Sequence, residues 1–296
     1  MPKLASRLLL ALALALAFAG RAAAQEPYPS RPITLIVSYA AGGPSDSIAR
    51  LLGESMSATL GQQIIIENVA GAGGTTGAAR AAKSEANGYT LLIHHVALAA
   101  GATLYPKLTY DTLGDFEGIG LVNSGPFVLT GKKGLAFDDI KGALDYIRTN
   151  KDKVTMGNAG VGSGSHLCNM LIQSTLGIKV SEVAYRGTGP AMNDLVGGQI
   201  DMLCDQSTNA MSQIQGGTIK AFAVTSTTRM DQLKDLPTMQ EAGLSGFEVT
   251  QWHALYAPKG TPKPVIDKLN VALEHAFADQ KVLARFADFG TVLFPA

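Results

Sequence analysis

Ile33-Thr34-Leu35-Ile36-Val37-Ser38, then Tyr39-Ala40-Ala41-Gly42-Gly43-Pro44-Ser45-Asp46, then Ser47 to Leu60, is the stretch that decides the fold. The first run is β-branched and apolar, as a buried strand requires. Ala41-Gly42-Gly43-Pro44 breaks it. From Ser47 the apolar residues Ile48, Leu51, Leu52, Met56 and Leu60 recur at helical spacing, and Gly61 closes the run. Strand, glycine loop and helix in that order start a parallel β-α-β unit with a right-handed crossover.

The same order repeats down the chain. Gln63 to Glu67 reads as a strand, Gly71-Ala72-Gly73-Gly74 as a loop, Thr76 to Lys83 as a helix, and Tyr89 to His94 as a third strand. After Asn123 it restarts. Strands are predicted at Phe127–Thr130, Val154–Gly157, Val183–Tyr185, Asp201–Cys204 and Ala221–Thr225. Helices are predicted at Phe137–Thr149, His166–Leu176 and Ala191–Val196. The tail carries a helix from Pro264 to Asp279 and a short one near Lys281 to Phe289. Two α/β units in series follow, with the segment after Thr225 returning to the first. The expected domains are residues 25–123 plus 226–296, and residues 124–225, joined by crossings near Asn123 and Thr225. Ligands of open parallel sheets bind beyond the carboxyl ends of the strands, and often between domains. Both rules point to one cleft.

Residues 1–24 read as an export signal. Lys3 and Arg7 precede the uncharged run Leu8 to Gly20, and Ala22-Ala23-Ala24 offers small residues for cleavage before Gln25. The run has 13 residues, short of the roughly 20 that span a bilayer. A periplasmic location is expected. Removal of the signal takes Lys3, Arg7 and Arg21 but no acid, so a chain with 24 basic and 24 acidic residues becomes one of net charge −3. That balance excludes the basic stripe of a nucleic-acid binder and the polybasic patch of a membrane-surface protein. With 46% hydrophobic residues it also excludes disorder.

Cys168 and Cys204 are the only cysteines. Export permits a disulfide, but two cysteines are no framework, and both are read as small core residues. His94, His95, His166, His253 and His275 lack metal spacing, so no metal is expected.

Two loops share one design. Tyr39 to Asp46 and Asn158 to His166 each join a strand to a helix through glycines. Each brings unpaired backbone N–H groups and a positive helix end to a strand's carboxyl edge, which suits an anion. A carboxylate gains about 0.3–1 kcal/mol per helix end, and ~2 kcal/mol when partly buried. The bland alternative is that glycine merely makes tight turns. Gly71 to Gly77 approaches a dinucleotide fingerprint but has Thr76 where the third glycine belongs, and no Walker lysine is present. No cofactor is expected. Neither Ser163 nor Ser165 stands in G-x-S-x-G, so a secreted hydrolase is a weak alternative and a non-enzyme the preferred reading.

In collinear order, Tyr28-Pro29-Ser30-Arg31-Pro32, Ala41-Gly42-Gly43-Pro44-Ser45-Asp46, Gly71-Ala72-Gly73-Gly74, Gly88-Tyr89-Thr90-Leu91, Tyr185-Arg186-Gly187, Gly197-Gly198-Gln199-Ile200-Asp201 and Ala257-Pro258-Lys259-Gly260-Thr261-Pro262 resemble the periplasmic solute receptors of tripartite tricarboxylate transporters, the Bug receptors. The resemblance implies a two-domain periplasmic-binding-protein fold of venus-flytrap, type II-like architecture with mainly parallel sheets. It implies a monomer that captures a small carboxylate and delivers it to membrane permease subunits; a ligand sensor of the same fold is the alternative. It places ligand contacts on Tyr39, Ala41, Gly42, Gly43, Ser45 and Asp46, and on Gly162, Ser163, Ser165 and His166. Gly71 to Gly74, Gly73 among them, with His94 and His95, Tyr185 and Asp205, are supporting positions. His94 and His95 point opposite ways if their strand persists, so at most one faces the cleft. Ala40-Ala41, Val69-Ala70 and His94-His95 depart from the family's usual residues near the cleft. Members usually continue past the position of Ala296 with another helix or two.

Overall fold

Three parallel strands open the chain, in a computed structural model that describes residues 27–294. The expected signal segment lies outside the described residues. β1 (Ile33–Val37) pairs with β2 (Ile64–Asn68) on one side and β3 (Thr90–His95) on the other. The crossovers are α1 (Pro44–Leu60) and α2 (Thr75–Ala82). α1 buries Ile48, Leu52, Met56 and Leu60. It begins three residues ahead of the expected Ser47 because Pro44 is its first helical residue, where a fixed φ and a missing N–H do no harm. Gly61 closes it in the left-handed conformation, φ 69°, donating its N–H to Ser57 O. α3 (Ala97–Leu104) follows β3. It was not expected, because its small, nearly uniform apolar residues carry no amphipathic period.

The middle of the fold is antiparallel. β4 (Phe116–Lys132) is 17 residues long, where the sequence suggests only Phe127–Thr130. Its first part pairs with β9 (Thr250–Pro258), placing Ser124 opposite Trp252. Its second part pairs with β7 (Met202–Gln206) and β8 (Ile219–Val224), placing Val128 between Asp205 and Val224. Near Asn123, where one unit is expected to end, the chain stays in this one strand. β9 also pairs antiparallel with β3. The hydrogen-bonded path β2-β1-β3-β9-β4-β7-β5-β6 is therefore unbroken, with β8 and β10 (Val292–Leu293) also paired to β4. Registers slip in β4 between Gly118 and Gly120, between Leu121 and Asn123, and between Leu129 and Thr130; such bulges bend a strand.

The far flank is parallel again. β5 (Thr155–Asn158) lies between β6 (Ser181–Ala184) and β7. Around it run α4 (Ile140–Thr149), α5 (Gly164–Leu176), α6 (Thr188–Val196) and α7 (Ser207–Gln215). α8 (Lys263–Ala278) and α9 (Gln280–Asp288) end the helical set. Phe127, Ile147, Met156, Ile172, Phe222 and Phe247 form one buried cluster of this flank, and Val128, Leu195, Leu203 and Val224 another. Each such side chain contributes about 1.5–3 kcal/mol when fully buried. Tyr110, Phe116, Ile36 and Leu92 form a third cluster, against the first sheet.

Cys168 and Cys204 are not two separate core residues but a disulfide, with Cα atoms 6.3 Å apart. Both are fully buried. The bridge fixes α5 to β7 across 36 residues of chain. Sequence could not set that distance, because helix and strand meet only when the flank has formed.

Candidate functional site

The carboxyl ends of β1, β3, β5 and β7 and the starts of α1, α5 and α6 surround one cleft. The space between its atoms, open solvent at its mouth included, is about 330 Å³. Tyr39, Gly43, Pro44, Ser45 and His95 line it from the first sheet and its loop. Ala159, Ser163, Gly164, Ser165, Thr188, Asp205 and Gln206 line it from the far flank, and Phe127 and Gln251 from β4 and β9. Neither lysine nor arginine is among these residues.

The amides of Ser45, Gly164 and Ser165 find no acceptor in the loops that precede them. They stand in the first turns of α1 and α5, where helix geometry leaves N–H groups unpaired. Gly164 has no room for a side chain: a Cβ there would meet Gln251 Oε1 and lie 2.5 Å from the Phe127 ring. Ser163 caps α5, its hydroxyl accepting from His166 N–H at 3.3 Å. Ser165 Oγ accepts from Ala159 N–H at 2.9 Å and lies 3.2 Å from Ser163 Oγ.

On the opposite wall, Tyr39 stacks on His95 with ring centroids 4.9 Å apart. The Tyr39 hydroxyl donates to Gly73 O at 2.7 Å, so Tyr39 presents its ring to the cleft and its polar tip to the Gly71–Gly74 loop. His95 Nδ1 accepts from Ala97 N–H at 3.2 Å, which puts its remaining proton on Nε2. Ser45 Oγ lies 3.0 Å from His253 Nε2, and His253 Nδ1 lies 3.2 Å from Asn123 Oδ1. All three histidines here are buried and neutral. Burial lowers His253 to about 3 and His94 to about 4, and holds His95 well below its ordinary value.

Asp205 is the one acid that lines the cleft, and it is fully buried. Its Oδ1 accepts from Gln206 N–H and its Oδ2 from Asn209 Nδ2. Burial raises its carboxyl to about 6 against the opposing effect of these hydrogen bonds.

Of the expected contacts, Tyr39, Gly43, Ser45, Ser163, Ser165 and Asp205 meet in the cleft. The others stand elsewhere, each for a local reason. Asp46 turns into its own loop, accepting from Gly42 N–H, Arg50 and Asn68. Ala41 and Gly42 are exposed, and the Gly42 amide is taken by Asp46. The Gly162 amide donates to His166 Nδ1 at 3.3 Å, and His166 Nε2 faces Glu182. Gly73 packs against the Val161 carbonyl, outside the cleft wall. Tyr185 gives its hydroxyl to Asp194 at 2.6 Å. His94 leans on Gly74 O, so His95 takes the position by the cleft. Strand alternation had left that choice open. Pro44, Ala159 and Gly164 lie within the two loops read as the anion site, whereas Phe127, Thr188, Gln206 and Gln251 were missed. Gln251 stands on β9, which carries no clear strand pattern. Thr188 could have been found, since Gly187-Thr188-Gly189-Pro190 repeats the glycine-to-helix design of the two loops that were read.

Two hydrogen bonds tie the rims of the cleft together. Ala40 N–H donates to Arg186 O at 2.9 Å, and the Tyr105 hydroxyl to Val161 O at 3.0 Å. No group of three or more metal-ligating side chains occurs among the described residues, and none of their helices is long and apolar enough to cross a membrane.

The family model described as the tripartite tricarboxylate transporter family receptor matches residues 48–293. A UPF0065 protein from the TAR-I ttuE-ttuC' intergenic region of Agrobacterium vitis is 48% identical over 271 residues, 92% of this chain and 78% of the relative. Among solved structures, the periplasmic binding protein BugD is 44% identical and superposes with a TM-score of 0.89, over 90% of this chain and 89% of its own. MatC from Rhodopseudomonas palustris with bound malate is 38% identical with a TM-score of 0.86, over 90% of this chain and 91% of its own. The α/β periplasmic-binding-protein fold that the sequence resemblance implies is the fold these neighbours share. The chain belongs to the tripartite tricarboxylate transporter receptor family.

Proposed function

We propose that the protein is a periplasmic receptor, not an enzyme, that captures a small dicarboxylate in this cleft and delivers it to membrane permease subunits. The carrying observation is the convergence of three helix starts, with free amides at Ser45, Gly164 and Ser165, on a cleft without a cation. Oriented amides and helix ends supply the positive potential that Arg supplies elsewhere. The bound malate of a 38% identical neighbour of the same fold supports this ligand class. On this reading residues 25–123 with 226–296 form one lobe and residues 124–225 the other. β4 and the segment leading into β9 then act as hinges, and the protein works as a monomer after removal of residues 1–24. Closure on a ligand is favoured because the closed state alone brings Ser45 and Ser165 to one molecule.

A thermal-shift panel of di- and tricarboxylates, amino acids and neutral analogues tests the reading. A ligand at about 100 times its Kd stabilises by about 2.7 kcal/mol. Stabilisation by malate or a similar dicarboxylate, and not by its diamide, is expected. Absence of any carboxylate effect would overturn it. Delivery is tested separately, by capture of the ligand-loaded receptor on permease subunits in detergent.

A further inference from the structure

The cleft that accepts an anion on the reading above also holds a buried acid. Asp205 has no solvent exposure and lines the cleft alongside the starts of α5 and α6. No charged group from the surrounding elements balances it. β4 sets Val128 opposite it, α6 brings Thr188 and α7 brings Asn209. The other titratable groups in the cleft wall are Tyr39 and His95, both buried and neutral. A doubly ionised ligand beside an ionised Asp205 would place three negative charges in a space walled by neutral side chains. Helix ends offset part of that charge, but like charges without a cation in a buried site force one group to neutralise.

We infer that Asp205 takes one proton from solvent when a dicarboxylate enters, and then donates it as a hydrogen bond to a ligand carboxylate oxygen. The proton goes to a carboxylate oxygen of Asp205 and stays in the closed complex; it returns to water when the ligand leaves. The receptor thus binds its dianion together with a proton and grips it more tightly as pH falls. The inference rests on the carboxylate-receptor reading. It adds a proton-linked, specificity-determining role for Asp205, because a ligand that brings its own ammonium group would not need the proton. Burial already raises this carboxyl to about 6 in the free protein, and the charge of the bound dianion supplies the further rise that holds the proton.

Titration calorimetry of the full mature chain with malate tests it. Over about pH 6.5 to 8.5, where malate stays doubly ionised, Kd should rise about tenfold per pH unit. Runs in two buffers of different ionisation heat should count about one proton taken up per ligand near the upper end of that range. Asp205→Asn should bind malate with a flat pH profile and no uptake. Infrared difference spectra of the wild type, recorded with isotope-labelled malate, should show a new protonated-carboxyl band on binding. That measurement decides the matter even if Asp205→Asn fails to fold. A flat wild-type profile with no uptake would overturn the inference while leaving the receptor reading intact. So would uptake that persists in Asp205→Asn, or preferential, pH-independent binding of an amino dicarboxylate. If no carboxylate binds at any pH, both readings fall.

Discussion

Ser45 and His253 meet at 3.0 Å through Oγ and Nε2, although 208 residues separate them. The contact joins the first turn of α1 to β9 and sets the Ser45 hydroxyl at the cleft wall. Ser45→Ala leaves a buried ring nitrogen unpaired. It is expected to lower stability by about 1–3 kcal/mol and to weaken dicarboxylate binding. Urea unfolding and calorimetry check both. Unchanged stability would mean that water replaces the hydroxyl.

Gly164 and Gly42 should behave differently when substituted. Gly164→Ala puts a methyl against Phe127 and Gln251 inside the cleft, and those side chains must shift to admit it. Affinity should fall at least about tenfold, that is by about 1.4 kcal/mol, with folding retained. Gly42 has φ 83° and open space around the absent Cβ. Gly42→Val should cost about 1–2 kcal/mol of stability through backbone strain and leave affinity nearly unchanged. Equal effects of the two on binding would place the ligand elsewhere.

Acid should destabilise the apo protein before its exposed carboxylates titrate. His253 and His94 have folded values near 3 and 4 because burial disfavours their charged forms, and His95 is lowered for the same reason. A depressed histidine binds its proton only after unfolding. Its stabilising contribution is complete above the unfolded value of about 6.5 and is lost as pH falls below it, by about 2 kcal/mol per histidine at about pH 5. Asp205 works the other way: its raised value favours the folded state as pH falls through about 6 toward 4. Three histidines outweigh one acid, so melting temperature should drop between about pH 6.5 and 5. A flat or rising profile would show that these histidines are protonated in the fold.

Reduction of Cys168–Cys204 frees a loop whose ends are 36 residues apart. The loss is expected at about 2–4 kcal/mol, read as a lower melting temperature in reductant and in Cys168→Ser. The bridge also joins the helix that starts at Gly164 to the strand residue next to Asp205. Ligand affinity of the reduced protein should therefore fall as well. Unaltered melting would show that the bridge does not form in the purified protein.

Tyr105→Phe removes the hydroxyl that donates to Val161 O across the cleft rim. The residue is half-buried, so the expected loss is at the low end, about 0.5 kcal/mol. If the lobes open without ligand, as the proposed hinge motion requires, the loss should appear in ligand affinity more than in unfolding. Equal loss in both measurements would mean that the rims stay joined without ligand.

Strands β1, β3, β5 and β7, the helices that follow β1 and β5, and the two glycine loops were legible in the sequence, because apolar period and chain punctuation are local properties; the helices after β3 and β7 were not. The paired design of Tyr39–Asp46 and Asn158–His166 located the cleft for the same reason. The first turns of α1 and α5 are fixed by Gly43-Pro44-Ser45 and Ser163-Gly164-Ser165 wherever the rest of the chain goes. Tertiary structure alone decided the remainder. Thr250–Pro258 becomes β9 because β3 and β4 leave a gap between them, and that gap brings Gln251 into the site and His253 to Ser45. Cys168 meets Cys204 only once α5 lies on β7. Asp46, His166 and Tyr185 carry side chains suited to a ligand but find Arg50, Glu182 and Asp194 nearer. His95 rather than His94 borders the cleft because pairing with β9 fixes the face of β3. Each of these outcomes is a competition between partners far apart in sequence, and only the packed chain sets their distances.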